Sequence, residues 1–127
     1  MITVLAAIVF SGLVVFISLF QLALAVGRPW GTLAWGGRFP GKLPPRMRIA
    51  SLASAFLLLG FGLIVCAKAG LVLPESAQLS ALAVWGVVGY CALGVVANAA
   101  TRSKWERIVW LPFVVLMLIS SSAVALS

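Results

Sequence analysis

The chain has 127 residues, of which 64% are hydrophobic, and a mean hydropathy of +1.23. Soluble domains are nearer to half apolar, so this chain has too few polar residues to cover a soluble core. Nine basic residues against two acidic ones give a net charge of +7, and histidine is absent from the sequence. The composition therefore indicates an integral membrane protein and excludes sites built on histidine, such as haem ligation, His-ligated zinc and Ser–His triads.

Four long apolar runs predict four membrane-spanning helices in a single transmembrane domain, residues 1–127. A hydrocarbon core of about 30 Å needs about 20 helical residues, and the runs cover about 2–26, 49–67, 79–100 and 104–126. The first run has a signal peptide as its alternative. It lacks a basic n-region and exceeds the usual h-region, so we expect a retained helix. The predicted fold is an all-α four-helix bundle.

Small and polar residues in spans 1 and 2 predict how these helices pack. Ser11, Ser18 and Gln21 share one helical face, which should look at other helices and not at lipid. Span 2 carries the small-x3-small pairs Ser51/Ala55 and Gly62/Cys66, which favour close helix approach. Cys66, like Cys91 in span 3, lies in an apolar run and is interpreted as a packing residue.

The segment 27–48 holds five of the nine basic residues and no acid. Its first part, residues 29–35, has proline at a position typical of N1, and Gly36-Gly37 follows where a C-cap belongs. We therefore predict a short interfacial helix there. Pro45 suits the first turn of the next helix.

Span 3 and the turn after it carry two further signals. Gly86, Gly89 and Gly94 fall on one face, which predicts a helix-packing surface and a central place for span 3. Ser103 and Glu106 have the spacing of a capping box, in which Ser103 is the N-cap of span 4. Pro112 predicts a kink one turn further on.

The distribution of basic residues predicts the orientation in the membrane. Segment 27–48 has five Lys and Arg, segment 68–78 has one and segment 101–107 has three. By the positive-inside rule the first and third segments are cytoplasmic, and both termini lie outside. Four of the five tryptophans (Trp30, Trp35, Trp105 and Trp110) fall near the same interface, which is typical of an aromatic belt.

Several motifs together resemble a known family. They are residues 27–31 (GRPWG), 35–37 (WGG), 44–48 (PPRMR) and 98–107 (NAATRSKWER), followed by Trp110 and Pro112. The chain resembles a family of small, uncharacterised bacterial membrane proteins with four predicted spans, and Arg28 replaces the small residue expected before Pro29. The resemblance implies four spans in one domain of a bacterial inner membrane protein and implies no chemistry.

The basic segments are where we expect function. The candidate residues for binding a ligand or partner are Arg28, Arg38, Arg46, Arg48, Asn98, Arg102, Glu106 and Arg107. Arg46 and Arg48 are favoured because Pro44-Pro45 stiffens the backbone before them. A basic loop beside a membrane meets anionic lipid head groups, so lipid is a better expected partner than nucleic acid.

The leading hypothesis is a non-enzymatic accessory, assembly or lipid-interacting protein with no metal and no cofactor. A protein partner or a homo-oligomer is compatible with it. One alternative is an oligomeric channel lined by Ser11, Ser18 and Gln21. A second is an enzyme acting on a phosphate-bearing lipid head group, with Glu106 as its only acidic candidate. A solvated loop that only sets the topology is the remaining interpretation of segment 27–48.

Overall fold

The computed structural model describes residues 1–127, without the side chain of Ala77. Four helices follow one another: α1 (Ile2–Ala25), α2 (Pro45–Lys68), α3 (Ala77–Ala100) and α4 (Lys104–Ala125). At 1.5 Å per residue, 22 to 24 residues extend about 33–36 Å, enough to cross a membrane. The chain is therefore a multi-pass membrane protein, and the predicted four-helix bundle is confirmed.

Consecutive helices pack as neighbours, and α1 closes the bundle against α4. The α1–α2 interface is the largest, and the predicted small residues explain it. Ser51, Ala55 and Gly62 are buried on α2, and a Cβ at Gly62 would lie 3.5 Å from the Val14 side chain on α1. The α2–α3 interface is the smallest of the four between adjacent helices.

One apolar core runs through the bundle. Its fully buried side chains come from all four helices: Phe10, Val14, Val65, Val84, Val87 and Val124. On α3 the buried residues Ser80, Val84, Val87 and Cys91 recur at helical spacing and form the face that packs on the other helices. Cys66 and Cys91 are both free thiols.

The glycine face predicted for span 3 is not the packing face within the chain. Gly86 and Gly89 are exposed, and a Cβ on either would meet nothing within 4 Å. Gly94 does pack, since its Cβ would lie 3.9 Å from Val114 on α4. The expectation of a central span 3 is also wrong, because α3 is the least buried of the four helices. Small residues allow close approach, but the bulky Val84–Val87 face buries more apolar area.

The segment between α1 and α2, residues 26–44, is called loop 1 and is folded. Instead of one interfacial helix it has two 3₁₀ turns, Gly31–Leu33 and Trp35–Gly37. Leu24, Ala34 and Leu43 form a second buried cluster beneath it. Gly31 is required there because a Cβ would overlap the carbonyl oxygen of Phe39. Loop 1 therefore has a defined fold with a small core of its own.

Candidate ligand-binding cavity

A cavity of about 1150 Å³ lies at the loop 1 end of the bundle. All four helices and loop 1 line it, with α2 contributing from Arg46 to Leu58 and α3 from Tyr90 to Ala100. Ligand pockets in proteins commonly measure about 300–1,000 Å³, so this space is large. Phe61 and Tyr90 bring α2 and α3 together at its inner end, with ring centroids 4.9 Å apart.

We infer that the cavity opens sideways at the edge of α3 that lies toward α2, because α3 makes a smaller interface with α2 than with α4. Leu93 lines the cavity and is 71% exposed, and Ala97 lies one turn further along the same exposed edge. Both residues lie within a helix that is long and apolar enough to span the membrane. The opening therefore faces the region that lipid chains occupy around the bundle.

The lining changes from charged to apolar along the bundle axis. Arg38, Arg46, Arg102 and Glu106 lie at the loop 1 end, and Gln21, Ser54 and Asn98 lie further in. The remaining lining is mostly apolar: Leu33, Ala34, Trp35, Phe39 and Met47 lie at the loop 1 end beside the charged groups, and Ile17, Phe20, Leu58, Leu93, Val114 and Met117 lie further in. The charged side chains are thus confined to one end, while apolar side chains line the cavity along its length, and this zonation suits an amphiphile with a charged head and an apolar tail.

Three separate segments supply the three arginines. Arg46 is the second residue of α2, which begins at Pro45 as predicted. Arg38 directly follows the second 3₁₀ turn, where its amide donates to the carbonyl of Trp35. Arg102 lies in the turn between α3 and α4, after the extended residue Thr101. Their presence at one cavity depends on loop 1 lying against the α3–α4 turn.

Hydrogen bonds hold loop 1 on that turn. The Ser103 hydroxyl donates to the carbonyl of Thr32 at 2.9 Å, and the Trp110 indole donates to the carbonyl of Leu33 at 2.7 Å. The Trp35 indole donates to Ser51 at 3.0 Å. Trp35 has a φ of +53°, a left-handed conformation that is strained for a bulky residue and persists because surrounding contacts fix it.

These contacts correct the predicted aromatic belt. Trp110 is only 8% exposed and packs against Phe16, Phe20 and Phe113, and Trp35 is half-buried. Trp30 and Trp105 remain exposed. Two of the four tryptophans therefore join loop 1 to the helices, while the other two remain available to an interface.

Glu106 is turned toward loop 1. The Ser103 hydroxyl accepts from the Glu106 amide at 3.3 Å, so the predicted N-cap is confirmed. The reciprocal half of the capping box is absent, because the Ser103 amide donates to the Thr101 hydroxyl. The Glu106 carboxylate instead accepts from the Thr101 hydroxyl at 3.5 Å and from the amide of Gly36. Among the described residues no cluster of three His, Cys, Asp or Glu side chains could hold a metal.

Three of the predicted arginines have structural partners and do not line the cavity. Arg48 donates from Nε to the carbonyl of Ala25 at 2.9 Å, at the end of α1. Arg107 donates to the carbonyl of Thr101, which ends α3. Arg28 lies over the Trp30 ring, 5.8 Å from its centroid. Arg48 therefore lies outside this cavity, whereas Arg46 lines it, and the binding roles predicted for both arginines stay predictions.

The polar residues of span 1 have two different environments, one in the α1–α2 interface and one at the cavity. Ser11 bonds to Cys66 at 3.0 Å and Ser18 donates to the carbonyl of Ala55 at 3.5 Å, so both face α2 as expected. Gln21 lines the cavity, and its buried Oε1 has no hydrogen-bond partner. Asn98 also lines it, with its amide group donating to the carbonyl of Gly94 at 2.8 Å.

Ser54, Tyr90 and Trp110 also line this cavity and are not among the predicted site residues. Ser54 and Tyr90 lie in apolar runs that predict spans and packing, and the sequence assigns Trp110 to the aromatic belt. Comparison of the chain with protein-family models, with curated proteins and with solved structures finds no match.

Proposed function

We propose that the protein is a non-enzymatic lipid-binding component of a bacterial inner membrane. It holds an anionic, phosphate-bearing amphiphile in the cavity that all four helices and loop 1 line. The observation that carries this proposal is the zonation of the lining, with Arg38, Arg46 and Arg102 at one end and apolar residues beyond them.

The chemistry of the arginines suits a phosphate. A guanidinium offers a planar fork of donors that binds two phosphate oxygens at once, and such charge-assisted bonds are about twice as strong as neutral ones. At the other end, an acyl chain would cover the apolar lining. The lateral opening at Leu93 and Ala97 lets the chain enter from the bilayer without leaving the hydrocarbon region.

The orientation that fits this proposal has the loop 1 end in the cytoplasm and both termini outside. The five-one-three distribution of basic residues supports it. Anionic lipids of the cytoplasmic leaflet would then meet the arginine end directly.

The two alternatives have weaker support. A channel lined by the span 1 stripe would need Ser11 and Ser18 at a pore, but both bond to α2 and Ser18 is buried. An enzyme would use Glu106, which lies at the cavity with its carboxylate already accepting two hydrogen bonds. A protein partner would dock on the exposed loop 1 surface and would not need the cavity.

Reconstitution into nanodiscs tests the proposal. The protein in phosphatidylcholine nanodiscs with a minor fraction of phosphatidic acid or phosphatidylglycerol should retain bound anionic lipid in native mass spectrometry. Arg46→Gln should weaken that binding about tenfold or more, because a hydrogen bond to a charged group is worth about 1.5–3 kcal/mol. Arg28→Gln removes the same charge outside the cavity and is the matched control. Equal small losses in both variants would contradict a defined site.

A further inference from the structure

We infer that the cavity selects a head group with two negative charges, a phosphomonoester or a diphosphate, over a phosphodiester or a zwitterion. This inference rests on the proposed function and names the ligand class of the same cavity. The observation behind it is the set of charged side chains that the fold brings to the cavity's loop 1 end.

The charges at the cavity leave an excess of two. Arg38, Arg46 and Arg102 contribute three positive charges, and Glu106 contributes one negative charge. A head group with two negative charges balances this set, whereas a phosphodiester leaves one positive charge without a partner. The three arginines are exposed side chains at the mouth of the cavity, so salt screens their attraction for the head group and the binding should be strongest at low ionic strength.

The arrangement of Glu106 also disfavours an ammonium-bearing head group. Its carboxylate is held by the Thr101 hydroxyl at 3.5 Å and by the Gly36 amide. The three guanidinium groups that line the same cavity would repel an ammonium brought to this carboxylate. Glu106 therefore fixes the position of loop 1 and sets the net charge of the site without offering a free cation site.

Two helix N-termini add to the positive field. Helices α2 and α4 both begin at this end of the bundle, at Pro45 and Lys104. A helix N-terminus carries a partial positive charge from its unpaired amides. In α2 the N-cap residue is Pro44, which supplies no side-chain hydrogen bond to those amides. This positive field adds to the attraction that the three arginines exert on the head group, and the arginines provide the selectivity for two negative charges.

The inference has a pH signature that a phosphodiester lacks. The second pKa of a phosphomonoester is near 6, so its second charge is lost as the pH falls from about 7 to 5. The charged and titratable side chains that line the cavity are Arg38 on loop 1, Arg46 on α2, Tyr90 and Cys91 on α3, Arg102 in the α3–α4 turn and Glu106 on α4. The amides of Gln21 on α1 and Asn98 on α3 line it as well and stay neutral. The arginines stay charged throughout this range. A Glu106→Gln background removes the one carboxylate that lines the cavity, and the pH dependence should persist in it.

The experiment compares head groups in one membrane. Protein is reconstituted in phosphatidylcholine nanodiscs with a trace of phosphatidic acid, phosphatidylglycerol or phosphatidylethanolamine, and bound lipid is counted by native mass spectrometry. Phosphatidic acid should bind about tenfold more tightly than phosphatidylglycerol at pH 7.5, since one added charge-assisted bond is worth about that factor. The preference should shrink severalfold at pH 5.5. Arg46→Gln should reduce it, and Arg28→Gln should leave it unchanged.

The possible outcomes distinguish the preference for a dianionic head group from the lipid-binding site of the proposed function. Equal binding of phosphatidic acid and phosphatidylglycerol, lost in Arg46→Gln, would overturn the dianion inference and leave the proposed lipid site standing. Binding of neither above phosphatidylethanolamine would overturn both. Glycerol 3-phosphate added in solution distinguishes the source of the phosphate. If it displaces phosphatidic acid only at a large excess, the ligand is a lipid; if it binds as tightly, the tail adds nothing and the lipid assignment is wrong.

Discussion

The indole nitrogen of Trp110 on α4 donates a hydrogen bond to the carbonyl oxygen of Leu33 in loop 1, at 2.7 Å. The two residues are 77 positions apart in the chain. The contact joins the loop that carries Arg38 to the helix that carries Glu106. The position of Arg38 relative to Glu106 therefore depends on Trp110, a side chain that bears no charge.

The first prediction tests this contact. Trp110→Phe keeps an aromatic ring beside Phe16, Phe20 and Phe113 but removes the donor. The partly buried Leu33 carbonyl then lacks its partner, which costs about 1–3 kcal/mol. We expect a lower thermal midpoint in detergent and faster hydrogen exchange of loop 1 amides.

Trp105→Phe is the matched control, because Trp105 is 58% exposed. It should leave both the midpoint and the exchange rates unchanged. Loop 1 exchange that is unaffected by Trp110→Phe would mean that the loop is held without this hydrogen bond.

The second prediction concerns the backbone of loop 1. Gly31→Ala should unfold or displace the loop, because the added Cβ would overlap the carbonyl oxygen of Phe39 and approach that of Gly41. The Gly31 amide would also be pushed from its 2.8 Å hydrogen bond to Gly41. Anionic lipid binding should fall with it, since Arg38 follows in the same loop.

Gly60→Ala provides the comparison for this variant. Gly60 lies within α2 and a Cβ there would meet nothing within 4 Å. Alanine is preferred over glycine in a helix by about 1 kcal/mol, so stability should stay equal or rise. Native mass spectrometry with phosphatidic acid measures binding for both variants. Binding that is equal in Gly31→Ala and Gly60→Ala would contradict the role of loop 1.

The sequence predicts the helices and their order but not which faces pack. Helix number and the start of α2 at Pro45 follow from apolar length and proline chemistry, which are local properties. The packing of loop 1 on the α3–α4 turn depends on pairs such as Ser103 and Thr32, which are distant in sequence. Such long-range contacts leave no periodic pattern, so Arg48 and Arg46 look equivalent until the structure separates them.

The third prediction contrasts two glycines. Gly62→Leu should destabilise the bundle by about 1–3 kcal/mol, because its Cβ would already be 3.5 Å from Val14 and the rest of the side chain would overpack. Gly86→Leu should be tolerated, because nothing lies within 4 Å of its Cβ. Unfolding in a denaturing detergent series measures both. A severe loss in Gly86→Leu would indicate that this face is covered by another copy in the membrane.

The fourth prediction is the orientation. The test uses single cysteines introduced into a Cys66→Ala, Cys91→Ala background. The Val72→Cys variant should react with a membrane-impermeant maleimide added outside the cell. The Pro40→Cys variant, in loop 1, should react only after the cells are opened. The reason is the five-one-three distribution of basic residues, with its excess at the loop 1 end. The reverse labelling pattern would place the arginine end outside. The arginines would then not meet the anionic lipids of the cytoplasmic leaflet, and that part of the proposal would fail.

The last prediction separates charge balance from catalysis at Glu106. Glu106→Gln raises the excess positive charge at the cavity from two to three, since one carboxylate is removed from a site with three arginines. The glutamine carbonyl can still accept from the Thr101 hydroxyl or the Gly36 amide, so loop 1 should stay in place. Both lipids should therefore bind more tightly, and phosphatidic acid should gain more than phosphatidylglycerol because its head group carries the larger negative charge.

An enzymatic role predicts a different pattern for the same variant. If Glu106 were a general acid or base, Glu106→Gln would abolish conversion of the bound lipid while leaving binding intact. Mass spectrometry of the lipids after prolonged incubation of the wild-type protein detects such conversion directly. Unchanged lipid together with tighter phosphatidylglycerol binding in Glu106→Gln would support a residue that sets charge. Any chemical turnover that Glu106→Gln removes would make the protein an enzyme.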